Sequence, residues 1–438
     1  MAGMSDTPPA GGGDLFGRIP LFREFARLLA GASGPVNWEL ARQVAVATAA
    51  GAEILGQVAA LPDPSVSRPD AAERGRWDEH LRLAELWLEP CTTLPGDVAV
   101  SARPRGRSDW AEWALGGMPP LVEPVARRMG GALGAHTDLG GGELDAMVER
   151  IGGLLFGIQV GMAVGQLART VAVHYELTLP MRERASLVVI PENVAALERS
   201  TGLPGDQLRL FLATHQLVRW RVIQGVGWFR EHLARLLEEV AAAVEPDASG
   251  LADRFGSLDI SRPEELQELL EGDLLGRAGS PALQAALGRL EVLLALAEGY
   301  ADVVSARALG GRLPALAALQ AALRRRNQAP DGPAALFATL LHADPKQAAG
   351  TRGASFCSAV LAATDVTRLD RVWAHPNFLP TPQELDLPGN WLERMGLVGG
   401  EPVDLDAGLR ELLESGGDAG APEGDDPTRD DGPAGRTP

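Results

Sequence analysis

The sequence is poor in basic charge, and almost all of that charge is arginine. Lys346 is the only lysine, and 58 acidic residues outweigh 40 basic ones, leaving a net charge of −18. Such a surface repels phosphate backbones, so nucleic acid is excluded as the expected partner. Arginine bias with abundant Ala and Gly reads as the coding habit of a GC-rich genome, not as function. Cysteine is nearly absent. Cys91 and Cys357 cannot build a disulfide framework or a four-thiolate metal site, and are expected as buried thiols in a reducing, cytoplasmic compartment. No phosphate-cradling loop ends in Gly-Lys-Ser/Thr, and no Gly-x-Ser-x-Gly nucleophile elbow occurs. The seven histidines (80, 136, 174, 215, 232, 342 and 375) include no pair four residues apart. A zinc protease helix needs that pair, because positions i and i+4 stack on one face and clamp the ion while an adjacent Glu activates its water.

What is present predicts a mainly α fold with at most a small β element. Residues 1–13 are Gly- and Pro-rich, without an apolar core that would mark a signal peptide, and are expected to be disordered. A helical region is expected over 14–130 and a second, larger helical domain over 131–414. The tail 415–438, with six acids and no apolar periodicity, is expected to be disordered. Asn37 reads as the N-cap of an early helix and Asp206 as the N-cap of a later one. Residues 89–120 read as a long connection or small subdomain, and 130–142 as a Gly-rich boundary. Further helices are expected over 77–88, 207–221, 228–244, 281–309, 350–364 and 382–396, with others near 263 and over 333–343. Short β-branched runs stand at 171–179 and 186–190.

Residues 151–168 carry no charge and place Gly153, Gly157, Gly161 and Gly165 at every fourth position. In lipid this would be a dimerisation stripe. The alternative is a buried soluble helix whose glycine face admits a neighbouring backbone. Eighteen residues is short for a span, and Gln159 and Gln166 would face hydrocarbon, so the buried helix is favoured.

Two features remain that could carry chemistry. His215-Gln216-Leu217-Val218-Arg219 lies mid-helix. Glu298-Gly299-Tyr300-Ala301-Asp302 lies on a strongly apolar helix, where a carboxylate has to be paired or bound. Taken singly, His215 reads as a bonded core histidine and Glu298 as half of a buried ion pair.

The chain resembles the zincin-like metallopeptidases of GC-rich Gram-positive bacteria over roughly residues 14–400. The resemblance rests on residues 16–22 and 34–38, on Ile190-Pro191-Glu192-Asn193-Val194, and on residues 226–233. It rests also on Glu298-Gly299-Tyr300-Ala301-Asp302, Arg371-Val372-Trp373-Ala374-His375-Pro376, Leu379-Pro380-Thr381 and Trp391-Leu392-Glu393-Arg394. It implies a zincin-like fold and a zinc site with a His-Glu-x-x-His helix and a third ligand from the Glu-Gly-aromatic helix. His215 and Glu298 match the first and third ligands, and Asp302 matches a carboxylate that orients a ligand histidine. Gln216 stands where the catalytic Glu is implied, and Arg219 stands where the second His is implied. A further histidine found in relatives corresponds to Gly225.

Gln cannot take a proton from a metal-bound water, and Arg stays protonated and cannot ligate. Two like unit charges about 4 Å apart repel by roughly 4 kcal/mol at an effective dielectric near 20. No metal and no cofactor are therefore expected, although active relatives would use zinc. The expected function is that of a catalytically inactive pseudopeptidase acting in binding or scaffolding, with a peptide or protein partner. The alternative is an active hydrolase with an unorthodox site, or with a metal recruited by Glu298, Asp302 and a distant histidine such as His174. The sequence also implies an Arg219–Glu298 pair in place of the metal.

Overall fold

The computed structural model describes residues 34–51, 71–96, 99–136, 142–174, 186–244, 280–329 and 351–397. The expectations for 1–13, the segment 14–33, the helix start near 263, the segment 333–343 and the tail 415–438 lie outside the described residues, as does 175–179.

Among the described residues the chain is helical, with one small sheet. Helix α1 (Trp38–Ala49) starts at Asn37, whose Oδ1 accepts from Leu40 N at 3.0 Å, the capping expected of Asn before an apolar helix. Helix α2 (Ala71–Leu88) follows. The 89–120 segment is more regular than its Pro, Gly and Trp content suggests. It holds strand β1 (Ser101–Pro104) and helix α3 (Arg107–Leu115), whose Trp110 is fully buried.

Helix α4 (Pro119–His136) continues through Gly130 and Gly131. Helix α5 (Gly142–Thr170) contains the glycine stripe and lies along α1, α3 and α4. A Cβ added at Gly157 would sit 2.6 Å from Asn37 O, and one at Gly161 would sit 2.6 Å from Ala41 O. The stripe is therefore a groove for the backbone of α1, and no helix among the described residues is long and apolar enough to cross a membrane.

Strand β2 (Ser186–Val189) is wholly buried and pairs parallel with β1, Ser101 opposite Ser186 and Pro104 opposite Val189. Val173 makes an isolated antiparallel bridge to Val189, which is what the first β-branched run contributes. Helix α6 (Pro191–Thr201) begins with Pro in its first turn and ends at Gly202 in the left-handed conformation, φ 65°. Its Asn193 caps the end of α5, donating to Ala168 O at 2.8 Å and Val171 O at 2.6 Å.

Helix α7 (Gly205–Trp220) is the centre of the molecule. Every residue from 210 to 220 is buried, as befits a helix enclosed by neighbours on all sides. It starts one residue before Asp206, which sits in the first turn, and Pro204 takes the cap position expected of Asp206. A π-turn, Arg221–Gly225, closes it, and helix α8 (Phe229–Ala243) follows.

Helix α9 (Pro281–Leu309) matches its sequence expectation, with Ser280 Oγ accepting from Leu283 N at 3.1 Å. It lies against α7, α8 and the later α11. Helices α10 (Leu316–Gln328), α11 (Thr351–Ala363) and α12 (Val366–Asp370) complete the body. The expected 382–396 helix is two, α13 (Pro382–Asp386) and α14 (Pro388–Arg394), because Pro388 cannot extend the ladder of the first.

Helices α9 and α11 cross glycine on glycine. A Cβ at Gly299 would lie 2.6 Å from Gly353 Cα, and one at Gly353 would lie 3.1 Å from Leu296 N. One contiguous set of buried apolar residues runs from Val36 to Leu392.

Candidate functional site

The site forms where α7 and α9 face each other. His215, Gln216 and Arg219 project from α7 at positions i, i+1 and i+4, and Glu298 and Asp302 project from one face of α9 a turn apart. The fold brings together all five residues singled out by the sequence.

His215 Nε2 lies 3.0 Å from Asp302 Oδ1. His215 Nδ1 lies 3.2 Å from Gln216 Nε2. Arg219 Nη1 donates to Glu298 Oε2. Asn327, from α10, adds a long contact of 3.5 Å to Glu298 Oε1. The ligand atoms of His215, Glu298 and Asp302 lie within 4.8 Å of one another.

Burial divides the group in two. The His215 and Arg219 side chains are sealed, 1% and 4% exposed, while Asp302 and Glu298 are reachable from solvent at 14% and 16%. Gln216 is fully buried and its Oε1 has no partner among the described residues. A buried amide oxygen without a donor costs on the order of 1–3 kcal/mol, so this is a locally unfavourable arrangement.

These residues do not fit a catalytic zinc ion. Both ring nitrogens of His215 are already engaged, one by Asp302 and one by Gln216, so neither offers a free lone pair. The third candidate ligand, Glu298, carries a guanidinium. Gln216 cannot serve as a general base. What the arrangement does chemically is cross-link two central helices by a charge-assisted pair.

His174 is not part of the group. It is buried, edge-on to Trp113 at 4.6 Å between ring centroids and tilted against Trp110 at 6.0 Å. Gly225 lies in the π-turn, where an added Cβ would meet Pro95 Cγ at 3.2 Å.

Beside the site, Tyr300 of α9 is fully buried and donates to Asp370 Oδ1 at 2.6 Å. Asp370 Oδ2 accepts from Thr93 Oγ1 at 2.8 Å and Thr93 N at 2.5 Å. Burial, reinforced by the Asp370 carboxylate, holds the Tyr300 phenol well above its ordinary range. This buried network fixes the helix that bears Glu298 and Asp302 to the Thr92–Thr93 segment and to the end of α12. Sequence reasoning missed Asn327 and Asp370, since neither carries a local pattern that marks it.

The family model described as zincin-like metallopeptidase matches residues 36–392. Among solved structures, one from Chloroflexus aurantiacus, described as a candidate hydrolase with a novel fold, superposes with a TM-score of 0.58 at 23% identity. The match covers 83% of this chain and 100% of that one. At that identity the likeness speaks for the fold alone. No curated protein matches the chain.

Proposed function

Because the chain belongs to the zincin-like metallopeptidase family, we propose that it is a non-catalytic member, a pseudopeptidase that serves in binding a peptide or protein partner rather than in cleaving one. The observation that carries this reading is the Arg219–Glu298 pair within the His215–Gln216–Arg219 helix register. The group that would polarise water is Gln216, and a fixed positive charge stands on the carboxylate that would help hold a metal. No hydrolytic step can be written through these residues as they stand. The compartment we propose is the cytoplasm, on the two buried free thiols.

The test is hydrolysis of a broad peptide library by the full chain, with and without chelator. The expected outcome is no cleavage above a Glu298→Ala control and no effect of chelation. Cleavage that disappears both on chelation and in Glu298→Ala would overturn the reading and restore the hydrolase alternative.

A further inference from the structure

We propose that the cleft between α2, the start of α7 and the α9–α10 turn is a docking groove for an acidic amphipathic helix of a partner protein, with the guanidinium of Arg312 as its anchor. The inference adds to the binding role proposed above by naming the partner's chemistry, and it places that partner away from the His215 group.

Three observations carry it. The first is shape. A cleft of about 510 Å³ opens along α2, where Arg76, His80 and Leu83 line one wall. Leu210 of α7 and Leu313, both buried, supply its apolar floor, with Pro314 beside them. A further wall is the α9–α10 turn, where Gly311 adopts φ 74° and Gln207 Oε1 accepts from Ala315 N at 2.9 Å. That bond ties the turn to α7, so the groove is preformed and a partner need not order it on binding.

The second is apolar surface at the rim. Leu86 and Leu83 are 63% and 36% exposed and stand three residues apart on α2. The core side of this helix is Trp77, Leu81, Ala84 and Leu88. At 3.6 residues per turn Leu83 and Leu86 point the other way. A single exposed leucine is ordinary, but this pair adjoins the partly buried Trp87 and the cleft. Ridges at this spacing are what the apolar face of an amphipathic helix covers.

The third is charge. Arg312 Nη1 donates to Ala308 O at 2.9 Å, and its guanidinium lies 5.4 Å from the centroid of the Trp87 ring. No carboxylate among the described residues pairs with it. Stacking on Trp87 holds the guanidinium in one plane, which leaves its remaining N–H donors ordered for a carboxylate. The acids on the lining stand elsewhere. Asp206 pairs with Arg209 at 3.7 Å and points to solvent. Glu79 lies about two turns before Trp87 on α2. Arg76 is taken by Glu73. A partner with Glu or Asp next to Leu therefore meets Arg312 and the two leucines together, whereas a basic partner meets a like charge there.

The test uses the full-length chain and two fluorescein-labelled peptides of about 12 residues, alike in a helical Leu period and differing in Glu against Gln elsewhere. Fluorescence anisotropy is expected to show the Glu peptide bound at least about fivefold more tightly than the Gln peptide. Arg312→Glu should weaken the Glu peptide about tenfold, and Arg312→Lys by less than about threefold. Leu86→Asp should weaken both peptides about tenfold. Arg312 and Leu86 are exposed, so these variants are expected to fold. Arg128→Glu, on the exposed side of α4, changes the total charge as much as Arg312→Glu and should shift the Kd by less than about twofold.

A photoreactive benzophenone side chain at position 86 should cross-link to the Glu peptide. Cross-linking instead to a second copy, or within the chain, would give the groove to that occupant and overturn the proposal. So would equal affinity for the two peptides, binding of neither, or a loss on Arg128→Glu as large as that on Arg312→Glu. Cleavage of either peptide would sink the non-catalytic reading instead, so the two failures are told apart.

Discussion

At the scale of single residues, the fate of a buried charge depends on what is left beside it. Arg219 is almost fully buried, and Glu298 is its charged partner across α7 and α9. Replacing Glu298 by Gln keeps the shape and removes the charge, leaving a buried guanidinium without this carboxylate. Such breakage costs about 3 kcal/mol, whereas replacing both members by apolar groups of similar volume is close to neutral. We therefore expect Glu298→Gln to lower unfolding free energy by about 3 kcal/mol. The double variant Arg219→Met, Glu298→Leu should come within about 1 kcal/mol of the wild type. Urea titrations of the three proteins decide the matter, and equal losses in single and double variants would show that the pair is not what holds these side chains.

At the scale of elements, the contact between α1 and α5 is set by glycine. In an exposed helix Gly→Ala gains up to about 1 kcal/mol. At Gly161 the sign should reverse, since the new Cβ would stand 2.6 Å from Ala41 O and force the two helices apart. A loss of about 1–3 kcal/mol is expected for Gly161→Ala, the range for overpacked sites. Gly152, on the same helix, has nothing within 4 Å of an added Cβ, so Gly152→Ala should be neutral or stabilising. Thermal melts of the two variants test the sign directly.

Much of this element level was legible in advance. The glycine period, the Asn37 cap and the start of α9 at Pro281 are local signals, and the structure has each of them. The elements that were not legible depend on distant partners. Strand β1 is four residues long and exists because β2 lies beside it, 85 residues away, with Asp78 bonding Ala102 N at 2.7 Å. Asp206 has the chemistry of a cap, but the chain turns helical at Gly205, one residue too early to use it. At the site, family resemblance identified His215, Gln216, Arg219, Glu298 and Asp302 as positions. The bond of Gln216 to the His215 ring and the approach of Asn327 are tertiary facts without a sequence signature.

At the scale of the whole molecule, several stretches that mark the family turn out to build the frame rather than the site. Trp228 donates to Trp373 O at 2.9 Å, joining residues 226–233 to the C-terminal signature. Trp391 donates to Phe378 O at 2.7 Å, and Arg394 reaches Glu384 Oε1 at 2.6 Å and Leu379 O at 3.0 Å. For the Glu384 carboxyl, burial acts to raise the pKa. The hydrogen bonds from Arg394 and from the Thr381 backbone outweigh it and hold the pKa below the usual value.

A carboxylate with a depressed folded-state pKa contributes stability that is complete above its unfolded pKa, near 4.3, and is lost as pH falls through the lower folded value. The C-terminal clamp should therefore hold at neutral pH and loosen in acid. Arg394→Ala should lower the melting temperature at pH 7 and make less difference as pH is taken below about 4. A difference that stays constant down to pH 3 would show that Arg394 acts through its hydrogen bonds to backbone carbonyls alone.

The crossing of Gly299 on Gly353 fixes α9 along its own length, as a notch fixes a beam. Glu298 is the neighbour of that notch, so its height relative to α11 is set by steric fit and not by whatever binds its carboxylate. A scaffold built this way does not need an ion to hold α9 in register with α11. The chemistry at position 219 leaves that joint untouched, because the joint lies one residue from Glu298 and contains no charged group.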